Sequence, residues 1–137
     1  MKKEYILYYF DKVFKGKADP EAFEQAKNSL FNVVVSKDSD FAITNLRKFA
    51  VSYYSICREI KRNLNQNIEI ANSKYSKKTN LLTKLKLKKE LKSLHNFNMD
   101  ACKFYNTFYK AFGVHLADIK QSAEIEKIIE DRKNGVW

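Results

Sequence analysis

Glycine and proline are nearly missing from this chain: three Gly and one Pro serve 137 residues. A sandwich or barrel of many short strands needs a tight turn at every strand end, and those turns draw on Gly and Pro. The scarcity points to long helices instead. Cysteine is also sparse. Cys57 and Cys102 are too few for a disulfide framework, and both lie among apolar residues, so reduced, buried thiols are expected. His95 and His115 are the only histidines, and neither has a Cys, His or carboxylate at metal-ligand spacing, which excludes a metal site as a sequence expectation. No apolar run approaches the roughly 18 residues of a membrane span. Met1-Lys2-Lys3-Glu4-Tyr5-Ile6 is basic, but the apolar stretch after it is broken by Asp11 and Lys12, so it does not read as a signal peptide. A soluble cytoplasmic protein with no membrane partner is the expectation.

Catalytic signatures are missing too. There is no Gly-rich phosphate loop, no serine in a Gly-flanked elbow and no paired-carboxylate motif at a strand end. The Arg-x4-His arrangement of helical RNases of the HEPN type is not met, because Glu90 stands five before His95 and Lys110 five before His115. The reading is therefore of a protein that is not an enzyme and carries no cofactor.

What is present is a folded-protein composition, 45% hydrophobic and 14% aromatic, at the length of one domain, taken as 1–137. Tyr5, Ile6, Tyr9, Phe10 and Val13 repeat at helical spacing, with Gly16 placed to stop the turn, which predicts a helix over 3–14. Asp19-Pro20-Glu21 puts a cap, a first-turn proline and a first-turn acid in order. The second helix buries Phe23, Ala26 and Leu30, with Val33-Val34-Val35 as its end. Beyond the polar break at 36–40, Ile43, Leu46, Ala50, Tyr53, Cys57, Ile60, Leu64 and Ala71 form one apolar seam, predicting a helix over about 41–72. An exposed basic linker is expected over 73–80. A second seam through Leu87, Leu91, Leu94, Asn98, Ala101 or Cys102, Tyr105, Phe108 and Phe112 predicts a helix over 81–112, with Asn98 fixing register inside the seam. A last helix over about 118–133 is expected to bury Ile125, Ile128 and Ile129. The predicted fold is all-α: a helical bundle built on a long antiparallel hairpin with shorter flanking helices.

Charge is distributed unevenly along this framework. Residues 1–40 hold seven Lys against seven acids and residues 93–137 hold six basic residues against six acids, whereas 41–92 hold thirteen Lys or Arg against Glu59, Glu69 and Glu90. The entire +10 thus resides in the middle stretch, where a neutral solvated face would intersperse acids at helix-pair spacing. Such segregation suits a polyanion. The candidate contacts are Arg47, Lys48, Arg58, Lys61 and Arg62 on the first long helix, Lys74, Lys77 and Lys78 in the linker, and Lys84, Lys86, Lys88, Lys89 and Lys92 on the second. Antiparallel pairing is expected to set Arg58, Lys61 and Arg62 beside Lys84, Lys88 and Lys92. Lysine is a flexible point charge, so backbone phosphate rather than base edges is the expected target. Tyr75, alone in the basic linker, is the ring placed for base stacking or a partner contact, with Tyr54 and Tyr109 left over at the seam edges.

Thr44-Asn45-Leu46-Arg47-Lys48-Phe49, continuing to Tyr53, resembles the opening of a helix in the small subunits of type III CRISPR effector complexes, and Cys102-Lys103-Phe104-Tyr105 is similar to their aromatic closing helix. The resemblance implies a small, basic, non-catalytic subunit lining an RNA-guided complex, with Arg47 and Lys48 near nucleic-acid backbone. The expected partners are RNA or single-stranded DNA, or a protein complex that handles them. The alternative is an anti-CRISPR-like inhibitor or adaptor, encoded by a phage or mobile element, that binds such a complex.

Overall fold

A computed structural model describes residues 3–77 and 81–135, with the backbone alone for 75–77. The described residues form five helices and no strand: α1 Tyr5–Phe14, α2 Pro20–Val35, α3 Ser39–Lys77, α4 Leu81–Phe112 and α5 Leu116–Lys133. This is the all-α bundle that the Gly- and Pro-poor composition predicts. Gly16 closes α1 at φ +79°, a left-handed turn that a side chain would strain. Asp19 caps α2 by accepting from the Ala22 amide at 3.1 Å, and the three valines continue that helix to its end.

The core is aromatic. Phe104 of α4 lies among Phe10 and Phe14 of α1 and Phe49 and Tyr53 of α3, with centroids 5.5–6.3 Å apart and mostly tilted or edge-on. Rings at these separations gain quadrupole attraction beyond area burial. α3 is the central element, packed against α2, α4 and α5, while α1 sits on α2 and α4. The pairing of α3 with α4 is antiparallel: Phe49 meets Phe108 and Tyr53 meets Phe104. Farther along, Ile60 and Leu64 share a groove with Phe97 and Ser93. As residue numbers rise on α3 they fall by about the same step on α4.

Several expectations are corrected. α3 runs on to Lys77, so residues 73–77 of the expected linker are helical, and 78–80 lie outside the described residues. Nothing in Asn72-Ser73-Lys74-Tyr75-Ser76 breaks a helix, because low apolar periodicity is not a stop signal. The α4 seam runs through Phe97, Ala101, Phe104 and Phe108, leaving Asn98, Leu91 and Cys102 exposed. A rotation of one residue brings Phe97 and Phe104 inward in place of Asn98 and Tyr105. Burying two phenylalanines outweighs any register role for an amide. α5 is turned as well: Leu116 is buried and Ile119 and Ala123 half-buried, while Ile125, Ile128 and Ile129 stay half exposed on the opposite side. Its inner face is fixed by Glu126 on Arg47 and by Lys120 over the Tyr54 ring, which no apolar count predicts.

Candidate nucleic-acid interface

The long helices emerge from the bundle at one end. From Lys61 to Lys74 only Ala71 is buried, and from Leu81 to Asn96 no residue is. On this uncovered half stand Lys84, Lys86, Lys88, Lys89 and Lys92, all exposed and, among the described residues, in no ion pair. Glu90 and Asp100, the acids of α4, are half-buried. Glu90 and, one turn before it, Lys86 fall in the same helical phase as Phe97, so both turn toward α3, and the outer face keeps Lys84, Lys88, Lys89 and Lys92 without a negative charge.

The outer face also carries two lysines that the sequence reading missed. Lys103 and Lys110 lie three and five turns beyond Lys92, both exposed. They belong to a chain segment whose charges sum to zero, so a linear count hides them, although their spacing of eleven and seven residues was readable as one helix face. Lys84 to Lys110 spans about 39 Å at 1.5 Å per residue. This is a ridge of positive charge along one helix.

The basic residues of α3 are placed differently from expectation. Extending the pairing of Ile60 with Phe97 and Leu64 with Ser93, Arg62 stands level with His95, not with Lys84 or Lys88. Those two lie about 10–16 Å nearer the start of α4 at Leu81, and only Lys92 comes within a helical turn of the Arg62 level. α3 continues to Lys77 instead of ending near 72, and the register of the pairing moves with it. Arg58, Lys61, Arg62 and Lys74 are exposed; Lys61 borders a groove shared with Asn98, Cys102 and Tyr105. The side chains of Tyr75, Lys77 and Lys78 lie outside the described residues.

Arg47 is already engaged. Its guanidinium meets the Glu126 carboxylate at 2.8 Å, and it lines, with Lys48, an open cleft of about 730 Å³ between α2, α3 and α5. Lys48 itself is exposed. The spare aromatics are engaged too: Tyr109 stacks on His115 at 4.1 Å, and the Lys120 ammonium sits 5.1 Å from the Tyr54 ring centre. Burial first, then the neighbouring Tyr105, push the Tyr54 phenol up to about 12. Burial likewise pushes the Cys57 thiol up to about 11 and raises the Tyr53 phenol, whose hydroxyl donates to the Ala101 carbonyl at 3.4 Å. These are protonated packing groups at neutral pH. Among the described residues no three His, Cys, Asp or Glu side chains gather as metal ligands, and no helix is long and apolar enough to cross a membrane. The chain matches no protein-family model, no curated protein and no solved structure.

Proposed function

We propose that this protein is a non-catalytic, cytoplasmic helical module that holds the phosphate backbone of RNA or single-stranded DNA, as a small subunit of a ribonucleoprotein effector complex. The observation that carries the reading is the α4 ridge, where six exposed lysines, Lys84, Lys88, Lys89, Lys92, Lys103 and Lys110, have no ion-pair partner among the described residues. Unpaired lysines on a rigid helix neutralise phosphates by releasing counterions, with little demand on sequence. Arg58, Lys61, Arg62 and Lys74 add charge on the neighbouring helix, whereas Arg47 must first leave Glu126. The resemblance of the Thr44–Tyr53 and Cys102–Tyr105 segments to type III CRISPR small subunits agrees with this class of partner.

Fluorescence anisotropy with a labelled single strand tests it. Affinity is expected to fall steeply between low and physiological salt, and replacing Lys84, Lys86, Lys88 and Lys89 by Glu is expected to abolish binding. A strand left unbound at low salt overturns the reading. One observation favours the adaptor or inhibitor as a second reading: Leu81 and Leu82 are 70% and 78% exposed among those lysines. Apolar and cationic groups side by side suit an acidic amphipathic helix of a protein partner. In that case the protein co-purifies with a protein target, and the charge reversals disrupt that complex.

A further inference from the structure

Beside the lysine ridge, α3 and α4 enclose an open groove of about 560 Å³ whose floor is Ile60, Leu64 and Phe97. Ile60 and Phe97 are buried to 2% exposure, so the floor is rigid and apolar. Its rim is built from amides: Asn63 and Asn67 on α3 face Asn96 on α4, with Ser93 and Asp100 between turns and Lys17 at the α1 end. The three asparagines are exposed and, among the described residues, make no side-chain hydrogen bond. Ser93 already donates its hydroxyl hydrogen to the Lys89 carbonyl, which leaves its oxygen to accept. Lys17 lies 5.7 Å from the Phe97 ring centre.

From this arrangement we infer that the groove is a subsite for an unpaired nucleobase, a deepening that rests on the nucleic-acid reading. An apolar floor with a few convergent polar groups is the usual make-up of a small-ligand site, and the volume falls within the range of about 300–1,000 Å³ for such sites. Each asparagine amide offers two donors and an acceptor, the pairing that a base edge requires. Asp100 adds an acceptor suited to an exocyclic amine, and it disfavours phosphate inside the groove. Phosphate is left to the cations around it: Lys17 at the rim, Lys89 one turn before Ser93 and Lys92 next to it in the chain. A duplex keeps its bases stacked with their Watson–Crick edges paired, so the occupant is a single strand.

The test is anisotropy with a labelled single-stranded 12-mer RNA and with the same strand in a duplex, at fixed salt, for the wild type, for N63A/N67A/N96A and for the Lys84, Lys86, Lys88, Lys89 charge reversal. The single strand is expected to bind more tightly than the duplex. The asparagine variant is expected to lose about tenfold on the single strand, near the sum of a few lost hydrogen bonds, with its duplex affinity and salt slope unchanged. Circular dichroism checks that these exposed substitutions leave the helices intact. Equal binding of strand and duplex, or an asparagine variant that binds like the wild type, overturns the subsite. If the charge reversal still abolishes binding in that case, the backbone reading stands alone. Failure of the wild type to bind either ligand at low salt overturns both.

Discussion

Asn45 is the one buried polar side chain of the described core, 4% exposed. Its amide nitrogen donates to the Phe41 carbonyl at 2.9 Å and its oxygen accepts from Asn32 at 3.1 Å, so α2 is locked to α3 through a satisfied amide pair. Removing one partner strands the other, which costs more than the bond contributes. Asn32→Ala is therefore expected to destabilise the fold by about 1–3 kcal/mol in urea unfolding, although Asn32 is only half-buried. The cysteines separate on the same ground of environment. Cys102 is exposed and Cys57 buried, so Ellman's reagent at pH 8 is expected to find one fast thiol in the native protein and two after denaturation. The folded pKa of Cys57 stands near 11 against a usual value of 9.0, so the unfolded chain sheds this proton first. Its stabilising contribution is present below pH 9 and declines as pH rises toward 11. Melting temperature is expected to fall over that window, and less so in Cys57→Ala.

At the scale of elements, α5 stands apart from the rest. Leu116 is its one buried residue, and the remainder is held by Glu126 on Arg47, Lys120 over Tyr54 and the Tyr105 hydroxyl, which accepts from the Ala117 amide at 3.4 Å. Part-exposed ion pairs add little to stability. Hydrogen exchange is expected to report early opening of α5 and late opening of α3 around Phe49–Ile60, where residues of the aromatic core concentrate. A uniform protection profile across both helices would refute that division. Pro20, Asp19 and Gly16 make the α1–α2 boundary readable because each is a local device with a local cause. The end of α3 and the facing of α5 are not local. No stop residue between Asn72 and Lys77 marks where α3 ends, and the side α5 presents depends on where Arg47 and Tyr54 stand on a different helix.

For the whole molecule, the ridge on α4 joins charges from two segments of different net charge. Lys103→Glu with Lys110→Glu is expected to weaken single-strand binding and to lower the salt slope by about 1.4, roughly 0.7 for each single-strand phosphate no longer neutralised. Unchanged binding and slope would confine the interface to 84–92. The folding of two long helices against each other also separates what a linear reading places together: Arg58–Arg62 and Lys84–Lys88 belong to different levels of the hairpin, so a strand touching both must run along it.

Composition and periodicity alone determine that this chain is helical, roughly where its five described helices begin, and that its charge is concentrated between 41 and 92, because these depend on residue type and on spacing within a turn. Tertiary structure decides which phenylalanines enter the core, that Asn98 and Cys102 stay outside and that Arg47 is paired. Each of those outcomes compares one side chain with a neighbour tens of residues away. A seam can rotate by one residue, about 100° around the helix, at almost no local cost, and only the rings waiting on α1 and α3 choose between the two settings.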